Sequence, residues 1–190
     1  MAKQTTAEQD VKTRKVTLTG IAPIMFDRYA GDNKTELPVE AKMYYAADGK
    51  TLILPAANVV SLLTAQNTPS APKRFCGKSW TGVAQAILSY TAITPFEIPL
   101  TSDGKPIVFK GFGDQITIHK SVARLAKGIP NPKVRPVVGL PWELSFELSM
   151  YPNTDVSEDL LQSLLVRAGL AIGLGTYRGV YGKFRITQWA

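Results

Sequence analysis

Three segments of the chain alternate apolar and polar residues with the period of two that is typical of half-buried β-strands. The clearest is WELSFELSM, residues 142–150, in which every second residue is apolar and Glu143 and Glu147 lie on the opposite face. The run KVTLTGIA from Lys15 predicts a first strand, and KFRITQW, residues 183–189, predicts the last. Each of these strands is expected to turn one face to a core and the other to solvent.

Three other segments repeat apolar residues at helical spacing. The first follows Pro55, a residue suited to a first helical turn, and its apolar positions are Val59, Val60, Leu62 and Leu63. The second, WTGVAQAIL, follows Ser79, which we expect to cap it. The third follows Asp155, which with Glu158 three residues later resembles a capping box. Its apolar positions are Val156, Leu160, Leu161, Leu164, Leu165 and Ala168.

Turns and breaks separate these elements. Asp48-Gly49 lies between two short apolar runs and predicts a β-hairpin over residues 41–54. The polar residues 1–12 are expected to form a flexible tail, and residues 23–38 a long loop. Strand-like runs occur near 90–100, 106–109 and 115–119.

The stretch from Lys120 to Pro136 contains two further prolines, Pro130 and Pro132. Because proline removes a backbone donor, we expect this stretch to be an irregular insertion loop.

The order of elements is strand, helix, several strands, helix, strand. It predicts an α+β, ferredoxin-like (split βαβ) fold, in which an antiparallel sheet carries two main helices and long loop insertions. A length of 190 residues and an apolar content of 45% suit one domain, predicted over residues 13–190 with a basic insertion at about 110–135.

Charge is distributed unevenly along the chain. The net charge is +7, and residues 49–96, 115–142 and 160–190 contain no Asp or Glu. Six of the fifteen acidic residues fall instead in the first forty positions. If the three acid-free segments meet in the fold, they form one positive surface, which favours a polyanionic partner.

The sequence has no membrane-spanning run and no apolar signal segment, so we expect a cytoplasmic protein. Cys76 is the single cysteine, which excludes an intramolecular disulfide and a cysteine-based zinc site. We interpret it as a buried structural thiol.

The most unusual segment is GLGTYRGVYG, residues 173–182, between the third helix and the last strand. One glycine is explained by a helix C-cap, but this segment has four: Gly173, Gly175, Gly179 and Gly182. We hypothesise that they let phosphates approach the backbone N–H groups. Arg178 and the following Lys183 would add charge, and Tyr177 and Tyr181 would stack on bases.

Two basic segments extend this candidate site. Residues 72–80 place Lys73, Arg74 and Lys78 among Phe75 and Trp80, a mixture typical of single-strand binding and equally of a solvated loop with anchoring aromatics. Residues 119–135 carry six basic side chains or imidazoles and no acid: His119, Lys120, Arg124, Lys127, Lys133 and Arg135. A loop selected for solubility alone usually mixes charge signs, so binding is favoured there.

Catalytic residues are scarce. His119 has no second histidine for a metal site, and Asp27 and Asp32 fall in a predicted loop where aspartates commonly cap turns. We therefore expect no enzyme, no cofactor and no metal, with a ribonuclease using these three residues as an alternative.

The segments GIAPIMFDRY and RAGLAIGLGTYRGVYGKFRI resemble phage-encoded proteins of the RAMP superfamily. These are ferredoxin-like modules that form backbone subunits of CRISPR effector complexes and bind single-stranded RNA. The resemblance implies that the four glycines are the family's glycine-rich loop and Arg178 its basic residue. It also implies that residues 110–135 take the place of a thumb-like hairpin.

Our first hypothesis is accordingly a phage protein that binds single-stranded DNA or RNA and assembles as a homo-oligomer along the strand. Because Glu143 and Glu147 on the open sheet face would repel phosphates, the loops are the expected binding surface. The alternative is an interaction protein that mimics a RAMP subunit and inhibits a host CRISPR complex.

Overall fold

The main sheet occupies the centre of the protein, which was studied as a computed structural model describing residues 11–32, 34–124, 128 and 130–190. Most of the expected tail lies outside these residues, but Lys12 already belongs to the first strand. The strands of this sheet are β1 (Lys12–Gly20), β3 (Ile53–Pro55), β4 (Thr91–Thr94), β5 (Glu97–Ser102), β6 (Lys105–Pro106), β9 (Glu143–Met150) and β10 (Phe184–Trp189).

All pairings in this sheet are antiparallel, and the strand order is β10-β1-β9-β5-β3. β4 and β5 follow one another along the same edge of β9, and β6 pairs with β5. The predicted alternation of β9 is confirmed, since Trp142, Leu144, Phe146, Leu148 and Met150 are all buried. The sheet therefore presents one apolar face to the core and one polar face outward.

Helices cover the apolar face. The described residues form four α-helices rather than the two main helices expected: α1 (Ala56–Thr64), α2 (Ala71–Phe75), α3 (Trp80–Tyr90) and α4 (Glu158–Ala171). Their buried residues, such as Leu62, Ile87 and Leu164, join the strand residues Leu18 and Leu144 in one continuous apolar cluster. The protein is thus an α+β structure with antiparallel sheets. No helix in the described part of the chain is long and apolar enough to cross a membrane.

The start of α4 differs from the expected capping box. The N-cap is Ser157, whose Oγ accepts a hydrogen bond from the N–H of Leu160 at 3.2 Å. The prediction that Asp155 caps this helix is wrong because the helix begins later. Ser79 likewise supplies no side-chain cap to α3, since its hydroxyl donates to the carbonyl of Cys76.

The side chain of Glu158 does not cap the helix. It connects α4 to two strands instead. Its carboxylate accepts from Arg14 Nε of β1 at 2.6 Å and from Trp189 Nε1 of β10 at 3.0 Å. These hydrogen bonds, with the charge of Arg14, lower the pKa of Glu158 below its ordinary value.

We expect this pair to make stability depend on acidity. A carboxylate with a lowered pKa in the folded state stabilises the protein above its unfolded pKa, roughly 4.3, and this stabilisation is lost as the pH falls through the folded pKa. The Glu158→Gln variant should therefore lose less of its thermal stability than the wild type between pH 6 and pH 3. Melting curves across that range measure the difference, and parallel curves for the two proteins would contradict it.

A second, three-stranded sheet contains the segment expected to be irregular. β7 (Ile116–Arg124) and β8 (Pro130–Val138) form a long antiparallel hairpin, and β2 (Ile24–Met25) pairs with the end of β8. The expectation of an irregular loop over residues 120–136 is wrong, as is the expectation of unbroken loop over residues 23–38.

The reason lies in the positions of the prolines. Pro130, Pro132 and Pro136 are separated by even numbers of residues, so they share one side of β8. The carbonyl of Pro136 accepts from the N–H of Phe26 in the segment after β2, which places that side away from β7. The missing proline donors therefore cost β8 no hydrogen bond to β7, as in edge strands that tolerate proline.

The hairpin expected at Asp48-Gly49 is confirmed. The N–H of Ala46 donates to the carbonyl of Thr51, and an antiparallel bridge joins Tyr45 to Leu52. Gly49 takes a positive φ of 68°, the conformation that tight turns require.

Candidate nucleic-acid interface

The glycine-rich loop, defined as residues 173–182, folds back onto the segment around β2. The N–H of Thr176 donates to the carbonyl of Met25 at 2.9 Å, and the N–H of Gly182 donates to that of Pro23 at 2.7 Å. Within the loop region, the N–H of Gly179 donates to the carbonyl of Ile172 at 2.6 Å. The loop is therefore a folded part of the structure.

Packing explains three of the four glycines. Gly173, Gly175 and Gly182 all have positive φ, and a Cβ at Gly173 would lie 2.6 Å from the carbonyl oxygen of Tyr181. A Cβ at Gly175 would overlap the carbonyl oxygen of Met25. The N–H groups of Gly173, Gly179 and Gly182 donate to protein carbonyls, so the expectation that they are bare for phosphates is wrong. Nucleic-acid binding by this loop stays a prediction, and it must use side chains.

Arg178 is the half-buried cation of this loop. Its Nη1 donates to the carbonyl of Pro69 at 3.2 Å, and its Nε lies 3.4 Å from the carbonyl of Gly175. None of the ion pairs among the described residues includes Arg178, and burial lowers its pKa from the ordinary value. Its charge is therefore positioned by carbonyl groups without being neutralised by a carboxylate.

The basic segment 72–80 contacts the end of α4, immediately before the same loop. Arg74 Nη1 donates to the carbonyl of Ala171 at the end of α4 at 3.0 Å, and Lys73 Nζ donates to that of Gln66 at 3.1 Å. Lys73 also lies 5.6 Å from the centre of the Trp80 ring. A cleft of about 290 Å³ opens here, and it is lined by Asn67, Thr68, Pro69, Ser70, Lys73 and Arg74.

On its other side the glycine-rich loop meets the β7–β8 hairpin through aromatic rings. The Tyr181 ring centre lies 5.7 Å from that of His119, and the Tyr181 hydroxyl lies 3.4 Å from His119 Nδ1. Tyr177 continues the series, with its ring centre 5.8 Å from that of Tyr181 and its side chain 54% exposed. His119 therefore has a packing partner that the sequence did not indicate.

The remaining predicted binding residues are distributed around this centre. Lys78 and Lys120 are exposed, and Lys183 is half-buried at the end of the loop. The side chain of Arg124 and all of Lys127 lie outside the described residues. The structure thus places Arg74 against Ala171, two residues before the glycine-rich loop, and Arg178 of the loop against Pro69, and it brings the hairpin to the same loop.

The aspartates considered for catalysis are engaged in other contacts. Asp27 Oδ2 accepts from Arg135 Nε at 2.7 Å, a pair that the sequence analysis missed because hairpin register was not recognised. The carboxylate of Asp32 accepts from the N–H groups of Lys34 and Thr35 and from the Thr35 hydroxyl. These hydrogen bonds lower the pKa of Asp32.

The extent of burial of two further side chains was not evident from the sequence. Lys42 is only 4% exposed, and its Nζ donates to the carbonyl of Val134 at 2.8 Å and lies 3.4 Å from Glu36 Oε1. Cys76 is half-buried, and burial raises the pKa of its thiol.

No family model matches the sequence, and no curated protein is significantly similar to it. The fold matches 32 chains of solved structures. One belongs to a cryo-EM structure of the Type III-B Cmr-beta bound to cognate target RNA, with a TM-score of 0.59 and 13% identity over 95% of this chain and 60% of that chain. The protein therefore spans about three fifths of that chain, and at 13% identity the likeness is one of fold alone.

Proposed function

We propose that this protein binds single-stranded nucleic acid through the glycine-rich loop and the two neighbouring basic segments, residues 72–80 and 119–135. The observation that carries the proposal is the meeting of three acid-free segments at one place. Arg178 bonds to Pro69 beside one basic segment, while Tyr181 contacts His119 on the hairpin. Clustering of cations without acids, with aromatic rings among them, is the arrangement that single-strand binding requires.

The strand order supports a ferredoxin-like, RAMP-like module as the scaffold. Taking β4 and β5 as one strand position, the order β10-β1-β9-β4/β5 is that of a βαββαβ unit whose last strand lies beside its first. In this plan α1–α3 form the first helical connection and α4 the second. The β7–β8 hairpin is then an insertion between the second and third strands of the unit.

The geometry suggests which side chains would bind phosphates and which would stack on bases. Lys73, Arg74 and Arg178 would neutralise phosphates, since none of them belongs to an ion pair within the described residues. Tyr177 would stack on a base because more than half of its surface is uncovered. Backbone N–H groups of the loop contribute little, because most of them already have acceptors.

The polar face of the main sheet is the poorer surface for a nucleic acid. Its hydroxyls bond to one another or to carboxylates, as Thr17 does to Ser145 at 3.0 Å and Thr19 to Glu143 at 3.1 Å. Glu147 on the same face is exposed. Lys15 and Arg185 lie on the same face, so these four charges balance and the face offers phosphate no excess of positive charge.

A second candidate function is a mimic of a RAMP subunit, encoded by a phage, that inhibits a host CRISPR complex. The favouring observation is that 95% of this chain matches only 60% of a chain in the Cmr-beta structure. A protein that shares this fold would compete for the place of such a subunit in the complex. This candidate requires a protein partner, whereas the first requires none.

Binding to a labelled single-stranded RNA should weaken steeply with salt. Each neutralised phosphate contributes a slope of roughly −0.7 in log affinity against log salt, so about five contacts give a slope near −3.5. Fluorescence anisotropy from 50 to 300 mM salt measures it, with a denaturing gel to verify that the RNA remains intact. Salt-independent binding would contradict the electrostatic contribution, and no binding at low salt would favour the mimic.

A further inference from the structure

A cavity of about 270 Å³ lies where the glycine-rich loop faces the β7–β8 hairpin. It is lined by Ser121, Val122, Arg135 and Tyr177, which combine an aromatic ring, an aliphatic side chain, a hydroxyl and a guanidinium. At roughly 30 Å³ for each water in the liquid, the volume corresponds to about nine waters, which is room for a single nucleobase.

Tyr177 is held in an unfavourable conformation at the edge of this cavity. Its φ is +53°, in the left-handed region that bulky side chains rarely adopt. Burial of the ring does not offset this strain. The side chain is 54% exposed, and only part of its ring rests against Tyr181. An exposed aromatic ring held in a strained conformation suits a stacking surface better than a core position.

Arg135 supplies an oriented donor on the opposite side. Its Nε donates to Asp27 Oδ2 at 2.7 Å, and the side chain is only 15% exposed. Among the described residues, none accepts a hydrogen bond from its two Nη groups, and the Ser121 hydroxyl also lacks a partner there. Asp27 therefore fixes the guanidinium plane while leaving its terminal donors available.

We propose that this cavity is a nucleobase slot that prefers guanine, an inference that rests on the proposed function. Guanine presents the two adjacent acceptors O6 and N7 that a guanidinium binds in bidentate fashion, whereas adenine replaces one acceptor by a donor. Uracil has no such adjacent pair. Cytosine has one, O2 and N3, but its smaller ring stacks over less of Tyr177.

The test uses four ten-nucleotide RNAs: all uridine, and the same strand with one central guanosine, adenosine or cytidine. Wild-type protein should bind the guanosine strand about ten-fold more tightly than the uridine strand. Arg135→Lys keeps the charge beside Asp27 but loses the two parallel donors of the guanidinium. It should bind all four strands equally.

Tyr177→Asn supplies a variant whose fold is not at risk, because asparagine tolerates positive φ. It should melt at least as high as the wild type and still lose the guanosine preference. Tyr177→Phe, which retains the ring, should keep it.

The outcomes separate the slot from the wider function. Salt-dependent binding of all four strands with equal affinity by the wild type would overturn the slot and leave the proposed function standing. Equal binding of the cytidine and guanosine strands would overturn the guanine preference. Failure to bind any strand at low salt would overturn the proposed function and the slot together.

Discussion

Replacing Gly175 by valine should destabilise the fold by about 3–5 kcal/mol, enough to unfold much of a domain of ordinary stability. Gly175 has a φ of +73°, which a β-branched residue cannot adopt without strain. A Cβ there would also overlap the carbonyl oxygen of Met25 and lie 3.1 Å from Ile24 Cγ1. Both costs act at once because the loop is packed on β2.

Gly179→Val is the matched control. Gly179 shares the positive φ, at +90°, but a Cβ there would meet nothing within 4 Å. It therefore carries the backbone strain without the overlap, and its cost should be limited to about 1–3 kcal/mol. Urea unfolding monitored by tryptophan fluorescence compares the two variants. If Gly175→Val unfolds at the wild-type urea concentration yet no longer binds RNA, the loop serves phosphates directly and the packing explanation fails.

The strands and helices of the core were predictable because burial imposes a period on the sequence. β9 alternates without exception, and one of its faces is buried throughout. α4 likewise repeats apolar residues at helical spacing along its buried side. In both elements, the apolar positions that set the local period are the same positions that pack in the core. The elements could therefore be predicted from the sequence pattern without the structure.

The β7–β8 hairpin was not predictable by the same reasoning. Its prolines indicate irregular structure unless they all lie on a side of the strand that has no partner. Whether the strand has such a side depends on the tertiary arrangement. Pro136 is tolerated because its side of the strand faces Phe26, about a hundred positions away in sequence. The residues around Pro136 in the sequence do not indicate this contact.

The unusual segment could be recognised from its residue types, but its packing could not. Four glycines around Arg178 marked the segment correctly as unusual, but sequence alone does not separate a bare loop from a packed one. The contacts with Pro23 and Met25 decide that question, since they occupy the N–H groups of Gly182 and Thr176. The meeting of Tyr181 with His119 also required the fold.

Replacing Arg178 by glutamine should weaken binding to single-stranded RNA by on the order of 1–3 kcal/mol, or about five-fold to 150-fold, the range for a charge-assisted hydrogen bond. The guanidinium is half-buried, and no carboxylate competes for it within the described ion pairs. A phosphate that reaches it therefore replaces water and no protein anion. Glutamine places its amide where Arg178 has Nε, beside the carbonyl of Gly175, so the fold should survive.

Arg185→Gln is the control for this charge change, because Arg185 is an exposed residue of β10 outside the proposed interface. It removes the same charge and should change affinity little. The RNA affinity of Arg178→Lys should fall between those of the wild type and Arg178→Gln. Lysine keeps the positive charge but loses the paired donors of the guanidinium. If Arg178→Gln binds like the wild type while joint alanine replacement of Lys120, Arg124 and Lys127 abolishes binding, the phosphate site belongs to the hairpin. The glycine-rich loop would then serve only to hold the hairpin and α4 together, because its hydrogen bonds to Met25 and Pro23 do not depend on Arg178.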